Sequence, residues 1–254
     1  MGFPKSVIGF GMLAAAASAN AGILGYSADR YLVVDGGRTY SVIDVFVNCS
    51  ANFDKLVNVF GQSASPSFVR TTLNGVQNAG DASSATNGAP FAQESGTGWM
   101  PTASSSKSWD SFVTIGARTQ SVAQSTVAVS GDPNFVNAFT TGANTLQGGY
   151  SGSNYIGPGW LSNNANDASV SAVSYADKRL MMGRFTVDIT SMNGNDVLTL
   201  QFKAKLSMRV NGTALNGGTI TQPAIDLSYN YLIPAPGAVA LVGLAGVVSR
   251  RRKA

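Results

Sequence analysis

Val197–Val210 reads VLTLQFKAKLSMRV. Leu198, Leu200, Phe202, Ala204, Leu206, Met208 and Val210 occupy alternate positions, with Thr199, Gln201, Lys203, Lys205, Ser207 and Arg209 between them. A period of two puts every apolar side chain on one face of a β-strand, whereas a helix would scatter them around its circumference. Fourteen residues is long for one strand, so a bend or bulge is expected within it. Lys203, Lys205 and Arg209 fall on the solvent face, where charge blunts edge-to-edge aggregation.

Shorter alternating segments continue the pattern at 31–34, 39–48, 55–60, 67–72, 111–115, 121–129, 170–175, 180–189 and 225–231. Turn formers separate them: Asp35-Gly36-Gly37, Asn74-Gly75, Gly131-Asp132-Pro133, Asn193-Gly194 and Asn211-Gly212. The last two flank strong strands and supply the positive φ that a tight hairpin demands. The composition agrees, with 29 Gly among 254 residues and a single Glu, Glu94, which disfavours long solvent-facing helices. The expected fold is all-β, a single β-sandwich of jelly-roll or cohesin-like topology spanning 22–231. Two long polar stretches, 76–110 and 141–168, read as loops within that one domain.

The termini differ from the body. Residues 1–21, MGFPKSVIGFGMLAAAASANA, carry one charge, Lys5, then an apolar run over 7–17, then small residues. That is the plan of a secretory signal peptide. Ala17-Ser18-Ala19 and Ala19-Asn20-Ala21 both offer signal peptidase its A-x-A pattern, so cleavage is expected after Ala19 or after Ala21, with Ala21 slightly the better fit. At the other end, no charge occurs from Leu227 to Ser249. As a helix, 232–249 would be roughly 27 Å long and would just span a hydrocarbon core of about 30 Å. Arg250, Arg251, Arg252 and Lys253 follow, and such a cluster stays cytoplasmic. The body is then held outside the cytoplasmic membrane by a transmembrane helix in 232–254.

The same tail resembles the PEP-CTERM sorting signal. Pro234 and Pro236 match its two prolines, Ala235 stands where the name-giving Glu would be, and Gly237 completes a Pro-Ala-Pro-Gly form similar to that of planctomycete-type surface proteins. The resemblance covers residues 232–254. It implies processing by an exosortase-like membrane enzyme, with the helix only transiently in the membrane. It implies delivery to the cell envelope or the extracellular space, in a surface layer, extracellular matrix or exopolysaccharide-associated coat.

Composition removes much chemistry. There is no His, hence no usual general base and no common transition-metal ligand. Cys49 is the single Cys, which excludes an internal disulfide; on a strand it reads as a buried, inert thiol. The formal +4 comes from the ends, because the body carries twelve bases against thirteen acids, a net of −1. No basic stripe remains for nucleic acid. Ser104-Ser105-Ser106-Lys107 satisfies S-x-x-K but lacks the companion motifs. Asn48-Cys49-Ser50 and Asn211-Gly212-Thr213 match the glycosylation pattern. Asn163–Asp167 and Asn193–Asp196 are rich in oxygen ligands for calcium, yet turn chemistry explains both.

The expectation is therefore a non-enzymatic structural or adhesive protein with no catalytic residues, no metal and no cofactor. Its partners are signal peptidase, the exosortase-like enzyme, the membrane and exopolysaccharide. Two rival readings stand beside it. In a carbohydrate-binding module, Tyr150, Tyr155 and Trp160 would stack on sugar rings, with Trp99 and Trp109 in the same loops; core anchoring competes for the same aromatics. In a glycan-active enzyme, two carboxylates drawn from Asp44, Asp110, Asp132, Asp177, Asp188 and Asp226 would act together, Asp110 and Asp132 above all.

Overall fold

A computed structural model describes residues 22–61, 67–71, 109, 111–118, 127–130, 145–147, 159–162, 170–192, 196–214 and 217–232. They form twelve strands: β1 (Ile23–Asp35), β2 (Arg38–Cys49), β3 (Lys55–Gly61), β4 (Ser67–Thr71), β5 (Phe112–Gly116), β6 (Val127–Ser130), β7 (Thr145–Gln147), β8 (Gly159–Ser162), β9 (Arg179–Asp188), β10 (Val197–Val210), β11 (Thr219–Thr221) and β12 (Ala224–Leu232). Every strand pairing is antiparallel. One sheet has four strands in the order β1-β2-β9-β5; the other has eight, in the order β6-β8-β3-β10-β4-β7 with β11 and β12 also on β10. Among the described residues there is no α-helix, and no helix long and apolar enough to cross a membrane.

β10 is the spine of the larger sheet, and its length is used twice on each edge. One edge pairs with β12 along Val197–Lys205 and with β11 along Met208–Val210; the other pairs with β4 at Leu200–Phe202 and with β3 from Ala204 to Arg209. The expected irregularity is present at one place, and on the other edge the ladder crosses Pro223 in unbroken register. Against β3 the register shifts between Ser207 and Met208, which leaves Val57 as the extra residue of β3. There the Asn58 side chain substitutes for a ladder carbonyl and accepts from the Ser207 N–H at 2.9 Å. Between β11 and β12 stands Pro223, which has no N–H to give; its carbonyl still accepts from the Leu206 N–H at 2.9 Å.

The apolar row of β10 is wholly buried, from Leu198 to Val210. It joins Ile43, Val45 and Val47 of β2, Phe185 and Val187 of β9, and Phe112 of β5 in one hydrophobic cluster that draws on both sheets. Phe185 of the small sheet meets Phe202 of the large one at 5.7 Å between ring centroids. The polar row behaves differently from expectation. β10 has neighbours on both edges, so Lys205 and Arg209 do not guard an edge; both are half-buried over the face of an interior strand.

The turns also redistribute. Asn211 has φ 58 as expected, but β11 begins only at Thr219, so no two-residue turn joins it to β10. Asn193-Gly194 lies outside the described residues. The tight hairpin is β1–β2, where Gly36 (φ 55) and Gly37 (φ 77) are both left-handed and Asp35 pairs with Arg38. Two successive positive φ values suit the right-handed twist of the flanking strands and are cheap only for glycine-like residues.

Segment 170–175 is not a strand. Ala172–Ser174 form a 3-10 turn, and the Ala172 N–H donates to the Asp54 carbonyl at 2.9 Å. Val170, Ser171 and Ala172 are buried in succession while Val173 and Ser174 are exposed, so burial follows the turn and does not alternate as on a strand. Leu232, read above as the start of the apolar tail, is the last residue of β12.

Candidate functional site

The face of the small sheet turned away from the shared core carries most of the charged and aromatic groups that could do chemistry. On β2, Ile43, Val45 and Val47 point to the core, which leaves Tyr40, Val42 and Asp44 on the opposite face; Phe46 alternates onto that face too, yet packs within the shared cluster. Trp109 covers Tyr40, with parallel rings 4.0 Å apart, and its indole N–H donates to Asp35 Oδ2 at 2.8 Å. Tyr40, Val42 and Trp109 make a second small cluster, against which Tyr31 and Val33 of β1 pack.

Next along the face is a buried ion pair. Arg184 of β9 donates from Nε to Asp44 Oδ1 at 2.7 Å and from Nη2 to Oδ2 at 2.9 Å. The guanidinium lies 5.6 Å from the Tyr31 ring and 5.1 Å from the Phe112 ring. Beyond it, Arg179 grips Asp29 with two bonds, 2.9 and 2.8 Å, and Asp177 with a third at 3.0 Å. Arg118 bonds the other oxygen of Asp177 and packs 4.5 Å from the Tyr175 ring. Arg179 and Arg118 both lie over Phe46, at 4.4 and 5.3 Å. Burial resists the charge on Asp177, but the bonds from Arg118 and Arg179 hold its carboxyl well below the usual range.

Asp188 and Asp54 are similarly engaged. Asp188 pairs with Arg38 at 3.0 Å. The fully buried Asp54 accepts from Ser50 N (3.1 Å), Ser50 Oγ (3.3 Å) and Ala51 N (2.8 Å) at Oδ2, and from Asn211 N (3.1 Å) at Oδ1, tying the β2–β3 turn to the end of β10. Burial, with Asp54 adding to it, pushes the Cys49 thiol far up, so no thiolate forms at neutral pH. Among the described residues no three acidic or cysteine side chains gather as metal ligands.

The residues singled out from sequence are scattered. Asp44, Asp177 and Asp188 sit in separate ion pairs. For Asp226 only the backbone is described, and Asp110 and Asp132 lie outside the described residues, as do Ala19, Ala21, Tyr150, Tyr155, Pro234, Pro236, Gly237 and Arg250 to Lys253. Trp160 requires a correction. It is 0% exposed, its N–H donates to the Thr114 carbonyl at 2.9 Å, and its ring meets Phe202 edge-on at 6.5 Å. A side chain with no exposed face cannot stack on a sugar. Trp109 is likewise buried. The groups missed from sequence are Arg118, Arg179, Arg184 and Asp29; apart from Asp177, which stands two residues before Arg179, their partners lie far along the chain.

At the side where the free edges of both sheets approach, Tyr229 and Tyr231 of β12 stack at 6.2 Å and pack on the core. Arg30 of β1 lies 5.0 Å from the Tyr231 ring and bonds Ser41 Oγ at 2.8 Å. Burial raises the phenols: Tyr26 and Tyr229 to about 12, Tyr31 and Tyr231 further. In the unfolded chain a phenol ionises near 10. Between pH 10 and 12 the unfolded state therefore holds fewer protons, and stability falls as pH rises. Urea midpoints are expected to be level from pH 7 to 9 and to decline steeply above 10; Tyr26→Phe softens that decline. A level midpoint up to pH 11.5 would contradict it.

No family model, no curated protein and no solved structure matches this chain.

Proposed function

We propose that this is an exported bacterial surface or extracellular-matrix protein, a single β-sandwich with a structural or adhesive role, whose tail is sorted and cut by an exosortase-like enzyme. The observation that carries it is the ordered tail: Pro234-Ala235-Pro236-Gly237, an uncharged apolar run, then Arg250 to Lys253, in a chain that opens with a secretory leader. The body supports it in two ways. The two sheets share one core through Phe185, Phe202 and Trp160, as the layers of a sandwich do. β12 runs to Leu232 on the large sheet, so a cut after about Pro236 leaves every described strand intact. The structural bonds of Asp44, Asp54, Asp177 and Asp188 favour a load-carrying role over hydrolysis. The sugar-binding alternative loses Trp160.

Fractionation and intact-mass analysis of the native protein test the proposal. The expected product is found in the envelope or the medium and lacks the residues after roughly Pro236. Native protein in the cytosol, with Met1 and Ala254 attached, would refute it. Envelope protein that keeps Arg250 to Lys253 would refute the sorting step and leave a plain anchor.

A further inference from the structure

We propose that β1 pairs with β1 of a second copy of this chain, antiparallel about a twofold axis at Asp29, so that the small sheets of two molecules run on into one; this goes beyond the function proposed above and does not rest on it. The β1–β2 hairpin decides which way the backbone of β1 faces. Gly36 and Gly37 are both left-handed, so Asp35 and Arg38 close a two-residue turn and exchange hydrogen bonds. Bonded and non-bonded pairs then alternate along the ladder. The odd-numbered residues from Gly25 to Asp35 turn their N–H and C=O groups to β2, while Tyr26, Ala28, Arg30, Leu32 and Val34 turn theirs outward. The far side of β2 agrees, for there it is Thr39, an odd residue, whose carbonyl accepts from the Ile189 N–H at 2.8 Å. β1 is the last strand of its sheet, and among the described residues no strand pairs with the outward row.

Edges that must stay single carry a proline, an exposed lysine or a bulge. From Gly25 to Asp35 β1 has none of these, and its register against β2 is unbroken. Its charges are held on their own molecule: Asp29 by Arg179, Arg30 by Ser41 and Asp35 by the Trp109 indole. The strand is also self-complementary. Leu24 and Val34, near its two ends, are 73% and 66% exposed. A copy centred on Asp29 brings Leu24 of each molecule level with Val34 of the other, Tyr26 with Leu32, and Ala28 with Arg30. The outward rows meet as bonded pairs, and the contact is the same patch on both molecules, as a twofold requires. Centred one residue later, the pairing would set Arg30 against Arg30, an unfavourable like-charge pair. The two Asp29 carboxylates at the chosen axis are each gripped by two bonds from Arg179, so two ion pairs meet there and not two bare acids.

Sedimentation equilibrium of the full chain in density-matched detergent tests the pairing, and a dimer is expected. Ala28→Pro deletes an outward N–H and leaves the β2 ladder whole, a change an edge strand tolerates. It is expected to give a monomer that melts close to the parent. Val34→Lys alters a mostly exposed side chain and sets a charge against Leu24 of the other copy. It is expected to weaken the dimer about tenfold or more, and it decides the matter if Ala28→Pro does not fold. Mild oxidation reads the register. Asp29→Cys would lie about 4.5 Å from its own copy, Cα to Cα, and is expected to cross-link. Ser27→Cys, four residues from its copy or about 14 Å, is not. The buried Cys49 takes no part. A monomeric parent, or a dimer that neither Ala28→Pro nor Val34→Lys weakens, would overturn the pairing. Cross-linking at 27 and not at 29 would overturn the axis at Asp29.

Discussion

Trp160→Ala is expected to lower the melting temperature by roughly 10 °C or more. Two costs combine. The indole is fully buried between the sheets, against Phe202, and truncating a buried Trp costs about 3–5 kcal/mol in lost transfer energy and residual cavity. The Thr114 carbonyl then loses its donor inside a residue that is itself 0% exposed, a further penalty on the order of 1–3 kcal/mol. For a body of this size each kcal/mol moves Tm by about 2–4 °C. Trp160→Phe separates the terms, since it keeps most of the volume and loses only the N–H; about a third of the full effect is expected. At a temperature where the Ala variant is still folded, its retention on a polysaccharide column should equal that of the parent. The opposite outcome, an unchanged Tm with lost retention, would restore Trp160 as a sugar-stacking residue.

The position of Trp160 illustrates what a linear reading can and cannot reach. β10 was legible because thirteen residues keep one period, and the strand bounds Val197–Val210 follow directly. β2, β3, β9 and β12 were legible within a residue or two for the same reason. β7, β8 and β11 were not, because three or four residues are too few to display a period. The first half of β1 was hidden by Gly25, Ser27 and Asp29, residues that disfavour strands in isolation and are held here by pairing along β2. Trp160 sat among glycines in a polar stretch, where an aromatic reads equally well as ligand contact or anchor. Only the location of β8 beside β3 and β6 decides it.

The arginine positions were hidden by a subtler effect. Arg179 and Arg184 are five residues apart, an odd number, and on a regular strand they would face opposite sides. The register of β9 against β2 shifts between Val45 and Phe46, and this places Arg179 opposite Asn48 and Arg184 opposite Asp44, both on one face. A bulge of one residue leaves no mark in composition or alternation, so the pairing of arginines with acids 140 to 150 residues away could not be foreseen.

That placement leads to the second large effect. Asp29, Asp44, Arg184 and Phe112 lie in one row across the four strands of the small sheet. Asp29 and Asp44 are directly opposite, an unfavourable like-charge pair by itself. Each is neutralised by its own arginine of β9, Asp29 by Arg179 and Asp44 by Arg184. The Asp44–Arg184 pair is the costly one to break, because its side chains are only 12% and 14% exposed. Asp44→Val is expected to destabilise the body by about 3–5 kcal/mol, since Arg184, between Tyr31 and Phe112, loses the carboxylate that meets it with two bonds. Arg184→Leu alone strands Asp44 beside Asp29 and should cost a similar amount. The double variant Asp44→Val/Arg184→Leu removes both charges and fills the space with apolar atoms, so it should be more stable than either single variant, with a coupling of about 2 kcal/mol or more by urea unfolding. Additive losses, or single losses under about 1 kcal/mol, would mean that solvent reaches the pair. The pair also fixes register, because a one-residue slip of β2 would carry Asp44 into the apolar core. The double variant should therefore keep its stability yet broaden its amide NMR spectrum along β2 and β9, which separates what the pair contributes to uniqueness from what it contributes to free energy.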